Sequence, residues 1–267
     1  MSDGLRLAMR RVERSKERRR DLESEMRAWA ESGAYKVVPH LNSETGDTVF
    51  YVSELSDITP LTHSLIGEII HTLRTALDHL AYQLFIVSRT DPLDEGDRIE
   101  FPIYDDSKTT ESNAFRPIKT LRPEIIEAIR KVNPCKTNQP LLWILHRLDI
   151  VDKHRRIVTC HLAHHSVFIR DALRQLLTET GYADMLPVLE LRPAFVTSHR
   201  TGRRAQVGDI LFSAPPGYDK VNEKLHFTFD IAFDESGVIE GKSVIETLDA
   251  MIKSVENLIT NFEPFLV

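Results

Sequence analysis

Six polar side chains that could take part in catalysis recur within the segment Leu65–Val87. At about 100° per residue they fall on one side of a helix, opposite an apolar stripe with the spacing of a buried face. The set contains an acid, two bases and a permanent cation: His71, Arg74, Thr75, Asp78, His79 and Tyr82. Such a helix face either lines a catalytic site or forms a solvated surface. The sequence pattern is compatible with both interpretations.

A second run of ionisable residues, 152–155, interrupts an apolar segment that predicts a long helix over 138–162. Charges on a core helix require partners, because an unpaired charge is costly to bury. We expect this run to face the first helix through the pairs Asp78–Arg155 and Arg74–Asp152. The residues expected to form this second wall are Asp152, His154 and Arg155.

Arg74 and His79 fit the pattern Arg-x4-His. This segment resembles the Arg-x4–6-His signature of HEPN domains, compact helical bundles that often act as metal-independent ribonucleases or as RNA and nucleotide binders. RNA cleavage without a metal needs a base for the 2′-OH proton and a cation for the scissile phosphate. The resemblance implies that His79 is the general acid/base and Arg74 the phosphate clamp, with Asp78 or His71 orienting the pair. It also implies a site shared between the subunits of a homodimer and a role in toxin–antitoxin systems or phage defence.

A wider resemblance covers roughly Leu61 to Val158. The combination of an RxALDH motif at 74–79 with a DKHR motif at 152–155 is similar to a bacterial family of uncharacterised proteins. That resemblance is more specific than Arg-x4-His, but it brings no assigned activity.

Two other interpretations stay open. The charged helices could belong to a non-enzymatic binding or scaffolding module, in which a buried ion-pair network locks two antiparallel helices together. His161 and His165 have the i,i+4 spacing of a helical metal chelate, which would suit a metal-dependent hydrolase, although no third or fourth ligand is evident. Dinucleotide, P-loop and nucleophile-elbow motifs are missing, so we expect no cofactor.

Composition limits the partners and the compartment. The formal net charge of -6 argues against a general nucleic-acid coat but leaves room for a local basic site. The two cysteines, Cys135 and Cys160, suit a reducing cytoplasm better than a disulfide framework. Because the start lacks a signal-peptide pattern and no run approaches roughly 20 apolar residues, we expect a cytoplasmic protein without a membrane span.

The most basic stretch lies near the N-terminus, where residues 16–20 follow Arg10, Arg11 and Arg14. Interleaved acidic residues favour a solvated helix with i,i+4 charge pairs. The alternative is an arm that binds RNA or a partner helix.

Hydrophobic periodicity and turn signals predict one α+β domain, with a bundle of long antiparallel helices at its core and an antiparallel sheet packed on it. Alternation places strands at 189–196, 209–213 and 224–233 in the C-terminal third. The predicted segments are a charged helix over 4–32, a hairpin over 35–55, a helical core over 60–163, antiparallel strands within 188–234 and a helix over 241–264.

Overall fold

The computed structural model describes residues 3–89, 99–154, 158, 160–164, 178, 204–214 and 229–266. Helices and strands in these ranges are labelled in chain order. The helices are α1 (Asp3–Glu31), α2 (Pro60–Ser88), α3 (Glu111–Ala114), α4 (Pro123–Val132), α5 (Pro140–His154) and α6 (Val244–Asn261). The strands are β1 (Tyr35–Leu41), β2 (Thr48–Leu55), β3 (Cys160–His164), β4 (Ile210–Ala214), β5 (Phe229–Glu235) and β6 (Ile239–Ser243). Short 3-10 turns cover Arg116–Ile118 and Glu263–Phe265.

α1 and α2 lie side by side in opposite directions along their whole length. Gly4 packs against Gln83 at one end, and Thr59 donates a hydrogen bond to Glu25 at the other. Between these ends, Arg18 forms an ion pair with Glu68. The charged helix predicted over 4–32 is therefore confirmed.

The start of α2 follows from its sequence. The hydroxyl of Thr59 accepts a hydrogen bond from the backbone N–H of Thr62, and Pro60 occupies the first helical position, where no backbone donor is needed. From there the apolar stripe is buried at intervals of three and four residues. The fully buried members of this stripe include Ile66, Ile69, Ile70, Leu73, Ala76, Leu77, Leu80 and Leu84.

α5 and α6 complete the helical layer around α2. α5 runs antiparallel to α2, because Asp149 contacts His71 while His146 contacts Arg74 one turn further along. α6 begins at its N-cap Ser243, whose hydroxyl accepts from the N–H of Glu246. Lys16 and Arg19 of α1 bind acidic residues of α6, which also contacts α2 and α5.

The helix predicted over 138–162 is too long. α5 ends at His154, and Cys160–His164 forms strand β3, which pairs antiparallel with β5. Ile157, Val158 and Thr159 precede this strand, and β-branched residues of that kind favour extended backbone. The apolar pattern continues from helix to strand without a visible break, so hydrophobicity alone did not mark the boundary.

Two small antiparallel sheets accompany the helices. One has the strand order β1-β2-β4, and the other has the order β3-β5-β6. The predicted hairpin is confirmed, with Val38 opposite Tyr51. The strands predicted over 209–213 and 224–233 overlap β4 and β5, whereas 224–228 and 189–196 lie outside the described residues.

The α+β class is confirmed. Of the described helices, α1 and α2 have 29 residues each, while α5 has 15, so the predicted long partner of α2 is α1 rather than the α5 segment. No described helix combines the length and the apolar content that crossing a membrane requires.

Candidate functional site at the contact between α2 and α5

The polar residues at the contact between α2 and α5 form two neighbouring groups of hydrogen bonds, which together we call the α2/α5 seam. Both helices present residues that are three and then four positions apart, so one face of each helix meets the other. The seam contains His71, Arg74 and Asp78 of α2 and His146, Asp149 and Lys153 of α5.

Arg74 is enclosed by acceptors from its own chain. Its Nη1 donates to Asp78 Oδ1 at 2.6 Å, its Nη2 to the carbonyl oxygen of Phe101 at 3.0 Å, and its Nε to His146 Nδ1 at 3.3 Å. The backbone N–H of Phe101 closes the ring by donating to Asp78 at 3.0 Å. Only 4% of the Arg74 side chain is exposed, so a phosphate cannot reach the guanidinium without opening the seam.

Burial dominates the titration of the groups around Arg74. It lowers the pKa of His146 to about 4, and the positive charge of Arg74 acts in the same direction. The neutral imidazole therefore accepts the Arg74 hydrogen bond through an unprotonated Nδ1. Burial also raises the pKa of Asp78, although Arg74 and the Phe101 N–H oppose that shift.

His71 and Asp149 form a dyad with one buried and one exposed member. Nδ1 of His71 lies 3.0 Å from Oδ1 of Asp149, whose side chain is 5% exposed, while that of His71 is 51% exposed. Lys153 donates to the second carboxylate oxygen of Asp149 at 2.8 Å. Because the carboxylate accepts from Nδ1–H, the neutral ring carries its lone pair on Nε2. A histidine held in this way can accept a proton from a substrate at the surface.

His79 lies on the other flank of α2, away from Arg74. Its half-buried ring faces α1, and its pKa is lowered by burial and then by the charge of Arg11, against the opposing effect of Asp78. The structure therefore does not bring Arg74 and His79 together within one chain. The cation that accompanies His79 is Arg11, which the sequence pattern did not single out.

The second wall is only partly described. Asp152 packs directly over Gly67, where a Cβ atom would lie 2.7 Å from the carboxylate oxygen. Burial and then the charge of Asp149 raise the pKa of Asp152. The predicted Arg74–Asp152 pair is wrong, because Arg74 binds Asp78 instead.

The other two residues of the predicted second wall cannot be placed in the same way. His154 is the last residue of α5, and its side chain lies outside the described residues, as does all of Arg155. The predicted Asp78–Arg155 pair stays a prediction for that reason.

The helical metal chelate predicted from His161 and His165 does not match the local structure. His161 belongs to strand β3, opposite Ala232, and its Nδ1 lies 3.6 Å from Asp234 Oδ2. His165 is outside the described residues. Among the residues that the structure describes, no group of three or more potential metal ligands occurs.

Sequence reasoning assigned no role to His146, Asp149 or the backbone of Phe101. Asp149 lies three residues after His146 and four before Lys153, a helical spacing that could have placed all three on one face. No comparable signal exists for Phe101, because a backbone carbonyl outside helices and strands has no pattern in the sequence. Among protein-family models, curated proteins and solved structures, no match to this chain was found.

Proposed function

We propose that this chain is a HEPN-like, metal-independent endoribonuclease, and that His71 is its general base. The observation that carries the proposal is the dyad of His71 and Asp149, in which a buried carboxylate orients a half-exposed imidazole with its basic nitrogen available at the surface. The assignment moves the acid/base role within the predicted set, from His79 to His71. Arg74 becomes a structural residue.

The chemistry follows from this arrangement. Nε2 of His71 takes the proton of a ribose 2′-OH, and the resulting 2′-oxygen attacks the adjacent phosphorus. The bond from phosphorus to the 5′-oxygen breaks, the leaving 5′-oxygen takes a proton from solvent, and a 2′,3′-cyclic phosphate remains. Asp149 stabilises the imidazolium that forms. Lys153, 40% exposed beside Asp149, supplies positive charge near the reacting phosphate.

The test is cleavage of a labelled mixed RNA pool in EDTA by wild type, His71→Ala and Asp149→Asn. We expect His71→Ala to lose at least about 100-fold in rate, as removal of a general base does. His40→Ala is the matched control, since His40 is an exposed histidine on β1, remote in sequence from the seam. Equal cleavage by wild type and His71→Ala would overturn the assignment.

The geometry of Arg74 supports a second candidate, the non-enzymatic binding or scaffolding module. An arginine that is almost fully buried and bound to three groups of its own chain holds α2, α5 and residue 101 together. If wild type cleaves no RNA in monomer or dimer fractions, this candidate becomes the better account. The homodimer itself remains part of the proposal, and sedimentation of the purified chain would measure it.

A further inference from the structure

Arg11 and Arg14 in the first half of α1 lie on the edge that adjoins α2, and Arg10 beside them is exposed. Arg11 lies close enough to His79 to lower the pKa of that histidine, and Arg18, two turns later, reaches Glu68 of α2 with Nε at 3.3 Å. Arg14 lies between them at helical intervals of three and four residues, on the same edge of α1. We call Arg10, Arg11 and Arg14 the arginine row.

The arginine row is not neutralised by the described part of the chain. Lys16, Arg18 and Arg19 bind carboxylates of α1, α2 or α6, whereas within the described ranges no acidic side chain pairs with the arginine row. Residues 3–16 hold five basic and two acidic side chains, while residues 17–31 hold four basic and five acidic ones. Positive charge on α1 is therefore concentrated at one end, despite the net charge of -6 for the whole chain.

An exposed aromatic ring accompanies this charge. Tyr82 is 41% exposed and lies one helical turn from His79, on the face of α2 that Arg11 borders. The same face carries His71, which is about 12 Å from His79 along the helix axis at 1.5 Å per residue. A row of cations beside an exposed aromatic ring is the arrangement with which proteins bind single-stranded nucleic acid, through phosphates and a stacked base.

We propose that a single strand of RNA lies along the groove between α1 and α2, with its phosphates on Arg10, Arg11 and Arg14 and a base stacked on Tyr82. The inference rests on the proposed ribonuclease function, because it assigns the binding track that leads to His71. It gives the local basic site a definite place in a chain that is acidic overall.

The test is binding of a fluorescent single-stranded oligonucleotide with 2′-O-methyl ribose, which lacks the nucleophilic hydroxyl and so cannot be cleaved. Arg11→Ala/Arg14→Ala should bind roughly tenfold more weakly at low salt, and the slope of log affinity against log salt should fall by about 1.4 for two lost phosphate contacts. Arg20→Ala/Arg27→Ala is the matched control, because it removes the same charge from exposed positions on the same helix. Arg10→Ala/Arg14→Ala provides a second variant, of two exposed residues, should the first one unfold.

Equal weakening of the arginine-row and control variants would overturn the inference, since it would show a response to net charge alone. Failure of wild type to bind the probe at low salt would overturn it as well. The proposed function is judged separately, by cleavage of ordinary RNA in His71→Ala. Loss of binding in the arginine-row variant with unchanged cleavage by His71→Ala would support the binding track and reject the catalytic assignment.

Discussion

The α2/α5 seam has a closed flank and an open face that carry similar residues in opposite situations. On the closed flank, Arg74 is almost fully buried and binds Asp78, His146 and the backbone of Phe101. On the open face, His71 is half-exposed and bound to Asp149 of α5 through one nitrogen only, and Tyr82 of α2 is exposed. The comparison teaches that the type of residue does not decide its role. Arg74 is structural because its guanidinium is hydrogen-bonded within the chain, whereas His71 can react because its Nε2 is available to a substrate.

The largest expected effect is loss of stability on the closed flank. Arg74→Ala leaves Asp78 and His146 without their buried partner, which should lower the free energy of unfolding by about 3 kcal/mol and the Tm by roughly 6 to 12 °C. Thermal unfolding measures this change, with Arg20→Ala as the exposed arginine control. A Tm within about 2 °C of wild type, the size expected for an ordinary surface substitution, would contradict the structural role of Arg74.

Lowering the pH should reduce the free energy of unfolding through His146, which lies on the same flank. Its pKa of about 4 in the folded protein lies below the ordinary histidine value of 6.5. Between these values the unfolded chain binds the extra proton, so stability rises with pH in this window and falls on acidification. From pH 6.5 to pH 5 the loss should be about 1.5 kcal/mol from this group.

His146→Gln removes that titration but keeps an acceptor for Arg74 Nε. Its unfolding free energy should therefore depend less on pH than that of wild type between pH 4 and 6.5. Denaturant titrations at half-unit steps measure the difference. Parallel pH profiles for the two proteins would mean that His146 is not the responsible group.

A smaller effect is expected where α5 crosses α2 at Gly67. A Cβ at this position would lie 2.7 Å from Asp152 Oδ1, so Gly67→Ala should destabilise the fold by about 1 to 2 kcal/mol through overpacking. Asp152→Ala in the same chain removes the clash, so the double variant should recover part of the loss. Additive effects of the two substitutions, measured by urea unfolding, would contradict this packing.

The smallest expected effect belongs to the open face. Tyr82→Leu keeps an apolar side chain but removes the aromatic surface, so binding of the 2′-O-methyl strand should weaken by roughly fivefold with its salt dependence unchanged. Fluorescence anisotropy at two salt concentrations measures both quantities. A change in the salt dependence would show that Tyr82 acts through the charged groups instead.

Much of the fold could be predicted from local pattern, and the site only in part. Thr59 and Pro60 mark the start of α2, and periodic apolar residues define its buried face, because capping and amphipathicity are local properties. The end of α5 could not be predicted, since strand β3 depends on its pairing with β5 nearly 70 residues later. Helix geometry also separates Arg74 from His79, as five residues turn by about 140° beyond a full rotation.

The partners of Arg74 were only partly predictable from local pattern. Asp78 lies four residues after Arg74 on the same helix, so this pair follows the i,i+4 rule. His146 and the carbonyl oxygen of Phe101 lie 72 and 27 residues from Arg74 along the chain. Long-range packing decided those two contacts.

The most direct measurement compares His71→Ala with His146→Gln in RNA cleavage and thermal unfolding, carried out on the same preparations. If the open face is the reactive one, His71→Ala loses cleavage by at least about 100-fold with little change in Tm, while His146→Gln keeps cleaving. Cleavage that survives in His71→Ala but disappears in His146→Gln would contradict this account.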